Sequence, residues 1–134
     1  MNTLPGILIE LESADGIALA EVEVAGKVRC TAMLVGASDP AWTAGRAVTL
    51  AFNEAEVALA KGRTGLISLR NLLPCTVIGI EEGRLLSRVR LECAGYPLSA
   101  LITTGSVRRL ALAPGDTVEA LIKANEMALL DGAS

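Results

Sequence analysis

The chain has 134 residues, enough for one domain or two very small ones, and 51% of them are apolar. Only Trp42, Phe52 and Tyr96 are aromatic, so the core must be aliphatic, and the formal charge of −3 provides no global positive field for nucleic acid or anionic lipid. There is no histidine, and Cys30, Cys75 and Cys93 show no CxxC spacing. These counts argue against a zinc centre and a histidine-based triad, and point to three reduced, mostly buried thiols.

The chain repeats itself. LPGILIELESADGIALAEVEVAG (residues 4–26) aligns with LPCTVIGIEEGRLLSRVRLECAG (73–95) at an offset of 69, which sets Asn2 opposite Asn71. AGRAVTLAFNEAEVAL (44–59) aligns with PGDTVEALIKANEMAL (114–129) at an offset of 70. A period of about 70 is too long for a solenoid and fits a duplicated small domain. The linker KGRTG (61–65) divides residues 1–64 from 65–134. Units this small bury little surface alone, so they are expected to pack together and to form an oligomer.

The second copy reads mostly as strand. Residues 67–81 form one long strand, or two joined at Leu73-Pro74. In 85–93, Leu85, Val89, Leu91 and Cys93 oppose Arg84, Arg88, Arg90 and Glu92. Ala94-Gly95 is a turn, 97–103 a strand, and 103–112 a short helix with a Thr N-cap. After Pro114-Gly115-Asp116, strands follow at 117–123 and 126–130. The fold class is therefore all-β: two tandem OB-like five-stranded β-barrels, each with one short helix. Closure removes the exposed edges that such apolar strands would otherwise present.

The second copy also carries polar groups that the first lacks. Ser68, Arg70 and Asn71 precede its first strand, Thr103 and Ser106 flank the helix start, and Lys123 lies in the apolar stretch LIKANEMAL. The first copy has Asn53 for Lys123, and small or apolar residues around Met33 to Ala37 for Thr103 and Ser106. Every member of the set donates hydrogen bonds and none is a carboxylate. With the free N–H groups of a helix start they suit a fully deprotonated oxyanion, whose oxygens only accept. Each residue also has an ordinary role: N-cap for Thr103 or Thr104, solvated cation for Arg70, turn former for Ser68 and Asn71, strand-edge or snorkelling side chain for Lys123.

These residues carry a family resemblance. The stretch from Ser68 to Leu129 resembles the molybdenum-pterin-binding (Mop, or TOBE) repeat of molbindins. The matches are Ser68, Arg70, Asn71, Val77, Ile102, Thr103, Ser106, Leu110, Leu112, Gly115, Ile122, Lys123 and Ala124. Departures from the pattern are Cys75 and Ala111 in place of glycine, and Asn125 in place of serine or proline. The first copy looks like a degenerate repeat, matching through Leu4-Pro5-Gly6 and FNEAEVAL.

The resemblance implies an OB-like barrel pair that binds molybdate, and often tungstate, between subunits of a homo-oligomer. Carried over, Ser68, Arg70, Lys123 and Ala124 would hold the ion from one subunit and Thr103 and Ser106 from another, with Asn71 as ligand or turn organiser. It further implies a cytoplasmic sensor or reservoir, either free-standing or the effector part of a molybdate-responsive regulator or transporter ATPase. An enzyme is not expected, since nothing pairs a nucleophile with a base. The rival readings are an interaction module, or an OB-like nucleic-acid binder. The second needs a basic groove and stacking aromatics that this composition does not offer. No apolar stretch reaches the ~18 residues of a membrane span, and MNTLPG lacks the basic and apolar regions of a signal peptide.

Overall fold

The computed structural model describes residues 1–36 and 40–132. Strands β1 (Asn2–Ala14), β2 (Ile17–Val24), β3 (Val28–Val35), β4 (Ala47–Phe52) and β5 (Ala58–Ala60) come from the first copy. Strands β6 (Asn71–Glu82), β7 (Leu86–Cys93), β8 (Tyr96–Thr103), β9 (Thr117–Ile122) and β10 (Ala128–Asp131) come from the second, with helix α1 (Thr104–Arg109) between β8 and β9. Two short 3-10 turns, Glu54–Glu56 and Ala124–Glu126, follow β4 and β9 at equivalent places. The expected mainly-β architecture of two OB-like five-stranded units is present. The helix expected in the first copy would fall across residues 37–39, outside the described residues.

All pairings are antiparallel, and the two sheets run β10-β4-β1-β2-β3 and β5-β9-β6-β7-β8. Each sheet takes its outermost strand from the other repeat. Leu129 on β10 pairs with Leu50 on β4, and Leu59 on β5 pairs with Ala120 on β9. The sheets thus interlock across the 64/65 division expected from the sequence. A single apolar core follows, running from Leu4, Leu8, Leu50 and Phe52 to Leu73, Val77, Leu91 and Ile122. The linker is docked too: Lys61 Nζ reaches Asp116 Oδ2 at 3.0 Å, and Arg63 Nε reaches Glu119 Oε1 at 2.7 Å.

Duplication extends to irregularities. Both long strands carry a register shift, between Leu8 and Glu10 on β1 and between Val77 and Gly79 on β6. At each, the inner residue exchanges backbone hydrogen bonds with the turn before the fourth strand: Leu8 with Gly45 and Arg46, Val77 with Gly115 and Asp116. A bulge bends its strand, which curls the sheet. Where the first copy has Gly6, an added Cβ would come within 2.6 Å of Val22 Cγ1, so only glycine fits. The second copy accommodates the buried Cys75 there.

Several boundaries differ from the sequence reading. One strand passes through Pro74, so 71–82 is a single element. Asn71 opens this strand rather than preceding it, and Lys123 lies just past β9 at the cap of a 3-10 turn rather than within the strand. Leu85 is 77% exposed before β7, and Ser87 takes the core-facing position beside Val89, Leu91 and Cys93. Ser87 tolerates burial because its hydroxyl bonds Thr104 Oγ1 at 2.8 Å. The three thiols are free and buried, and burial pushes Cys30 up to about 12.

Candidate functional site

Ser68 and Arg70 lie in the irregular segment that leads into β6, while Lys123 and Ala124 lie where β9 ends. Asn71 pairs with Ile122 in the β6–β9 ladder, so the two segments leave the sheet side by side. They enclose a cavity of about 270 Å³ lined by Ser68, Leu69, Arg70, Lys123, Ala124, Asn125 and, from the first repeat, Met33. Four of the seven expected residues are thus brought together by one chain. The cavity is smaller than the roughly 300–1,000 Å³ of sites for organic ligands, which favours a small ion.

The charge in and around this cavity is mostly positive. Arg70 is 60% exposed, and its Nη2 contacts Glu21 Oε1 at 3.1 Å. That same oxygen accepts a hydrogen bond from Thr31 Oγ1 at 2.9 Å, so β2 and β3 of the first repeat hold one edge of the guanidinium. The fork retains further N–H donors. Lys123 makes no ion pair among the described residues. Ala124 begins a 3-10 turn, whose first N–H groups have no partner within it. Lysine, arginine, hydroxyl and backbone N–H together can hold an anion with several acceptor oxygens.

Asn71 does different work. It is fully buried, with Oδ1 accepting from Thr31 N at 2.7 Å and Nδ2 donating to Thr31 O at 2.9 Å. Its amide is engaged in joining β6 to β3, so it positions its neighbours Arg70 and Ser68 and does not line the cavity. Thr103 and Ser106 do not line it either. Thr103 caps α1, accepting from Ser106 N at 3.1 Å and donating to Ser106 Oγ at 2.9 Å. The next residue, Thr104, anchors the helix start by donating to Gly83 O at 2.7 Å.

Sequence reasoning did not single out Met33, Glu21 or Thr31 as parts of this site. All three belong to the first repeat, and only the packing of β2 and β3 against the second copy brings them in. The conserved-looking spacing of the two repeats carried no signal for a contact between them.

The TOBE domain family matches residues 67–129. Over 78 residues the chain is 44% identical to the molybdenum import ATP-binding protein ModC of Brucella abortus, a match covering 58% of this chain and 22% of that protein. It is 42% identical over 66 residues to the molybdenum-pterin-binding protein MopA of Rhodobacter capsulatus, covering 48% of this chain and 25% of that one. The chain therefore spans only about a quarter or less of these relatives. A molybdate-binding protein from Sporomusa ovata is matched over its full length at 43% sequence identity, covering 50% of this chain, with a TM-score of 0.49. The crystal structure of the cytoplasmic molybdate-binding protein ModG, with molybdate bound, superposes with a TM-score of 0.89 at 26% identity, covering 97% of this chain and 95% of that one. The matching family, the relatives and the shared tandem fold agree: this chain belongs to the molbindin, or Mop (TOBE), family.

Proposed function

We propose that this chain binds molybdate, and by the same chemistry tungstate, in the cavity formed by Ser68, Arg70, Lys123 and Ala124. The observation that carries this reading is the convergence of two cations, a hydroxyl and a turn N-terminus in one small cavity of a fold shared with ModG. A molybdate dianion offers four acceptor oxygens and no proton, and the donors lining the cavity suit it. In this reading Thr103 and Ser106 close the cavity from a second copy of the chain, which makes the working unit a homo-oligomer. The chain then serves as a cytoplasmic sensor or reservoir, or as the regulatory part of a longer transporter ATPase or regulator, and carries out no catalysis. Among the described residues no helix is long and apolar enough to cross a membrane.

Isothermal titration with molybdate, sulfate and phosphate, on protein of measured oligomeric mass, tests the proposal. Molybdate is expected to bind with the highest affinity. At a hundred times its Kd it should add about 2.7 kcal/mol to apparent stability. Arg70→Ala and Lys123→Ala should each remove most of the binding heat while leaving the fold intact. Full retention of binding by both variants would overturn the site.

A further inference from the structure

The 3-10 turn that brings Ala124 to this cavity has an equivalent in the first repeat, and there it carries a carboxylate, Glu54. The correspondence rests on geometry. Asn2 stands in β1 where Asn71 stands in β6, and it holds Ser99 on β8 through Ser99 N→Oδ1 at 2.9 Å and Nδ2→Ser99 O at 2.8 Å. Asn71 holds Thr31 on β3 through the same pair of bonds. The 3-10 turn at Glu54 packs on β8, as the turn at Ala124 packs on β3. Position 54 in the first repeat is therefore position 124 in the second, and Ser99 stands for Thr31.

At position 124 a methyl group leaves the cavity open. At position 54 a carboxylate projects instead. Arg88 grips it with two N–H groups, Nη2 to Oε1 at 2.9 Å and Nε to Oε2 at 3.1 Å. Ser99 Oγ donates to Oε2 at 2.7 Å. This is the fork-and-hydroxyl recognition by which proteins hold oxyanions. Beside it lies a cavity of about 570 Å³, lined by Asn2, Arg88, Arg90, Glu92 and Ser99 among others. Arg90 makes no ion pair among the described residues.

We propose that Glu54 is a tethered ligand that occupies an oxyanion site formed by Arg88 and Ser99 where the two repeats meet, so that the chain has one open site and one self-occupied site. The inference rests on the molybdate reading for the class of competing ion. A tethered carboxylate acts at the high effective concentration of a short link, so free anions at micromolar levels do not displace it. Removing it frees Arg88 Nε and Nη2 and the Ser99 hydroxyl, with Arg90 alongside, for a free oxyanion, while Arg88 Nη1 keeps its 3.9 Å contact with Glu81 Oε2.

The test is molybdate stoichiometry per chain, measured by equilibrium dialysis with elemental analysis on the full chain. Glu54→Ala is expected to bind one more molybdate per chain than wild type. Glu54→Ala/Arg88→Ala should lose that gain, and Glu54→Ala/Arg70→Ala should keep it while losing the original site. Glu54→Ser serves if the alanine variant melts at a much lower temperature. A folded Glu54→Ala that binds no more than wild type overturns the tethered ligand while leaving the Arg70 site standing. Absence of binding by both wild type and Glu54→Ala overturns both readings. A gain in Glu54→Ala over a wild type that binds none supports this inference alone.

Discussion

The two repeats share their scaffold and differ at a few positions near the pockets. Asn2 and Asn71 perform the same task, each pinning its strand to the other repeat's third strand by a pair of amide–backbone hydrogen bonds. Both bulges and both strand exchanges are likewise duplicated. At the pockets the symmetry breaks. Lys123 and Ala124 correspond to Asn53 and Glu54, and the carboxylate that meets an arginine comes from β2 in one case and from the 3-10 turn in the other. Each site combines arginine, carboxylate and hydroxyl: Arg70–Glu21–Thr31 and Arg88–Glu54–Ser99. In the first set the carboxylate stands behind the cavity, and in the second it takes the place of a ligand. The comparison teaches that scaffold and site diverge separately, because backbone pairing constrains the first and one side chain decides the second.

The exchanged strands offer the largest effect with which to break this symmetry. Leu129 on β10 is 7% exposed, whereas its counterpart Leu59 on β5 is only half-buried. Leu129→Ala should cost about 2–5 kcal/mol in denaturant unfolding, and Leu59→Ala measurably less. Equal, small losses would mean that the exchange contributes little.

The amide pins come next. Asn71 is 0% exposed and Asn2 5%. Asn71→Ala leaves Thr31 N and O without partners in the interior and should cost about 2–3 kcal/mol. Asn2→Ala, at a better-solvated edge, should cost closer to 1 kcal/mol. Chemical denaturation of both variants separates the two values, and a larger loss for Asn2→Ala would contradict the ranking.

The smallest effect concerns pH. The hydrogen bond from Arg88, and then that from Ser99, lower Glu54 from 4.5 to about 2. Its pKa is depressed in the folded state, so its stabilisation is complete above about 4.5 and is lost as pH falls toward about 2. The stability gap between wild type and Glu54→Gln should therefore narrow across that interval, which denaturation midpoints at several pH values would record. A gap independent of pH would contradict the ion pair.

Much of the scaffold is legible in the sequence. Alternation along β7 from Val89 to Cys93, the Ala94-Gly95 turn, a threonine cap at 103 or 104 and the repeat itself are local signals, and each corresponds to an observed element. The strand exchange is not legible, because the last strand of each repeat has a short apolar pattern that suits either sheet edge. The grouping of Ser68 with Lys123 follows from repeat matching. The roles of Glu21, Thr31 and Met33 depend on contacts between repeats, for which one chain carries no local pattern. Asn71 reads as one more donor in sequence, and only its burial against Thr31 reveals a positioning role.

The central claim is that the second repeat presents an open oxyanion site between Arg70 and Lys123. Anomalous diffraction at the molybdenum edge, from crystals grown with molybdate, tests it most directly. The account predicts a strong anomalous peak within hydrogen-bonding distance of the Arg70 guanidinium and the Lys123 ammonium. A molybdenum peak elsewhere on the chain, with neither side chain in contact, would contradict it.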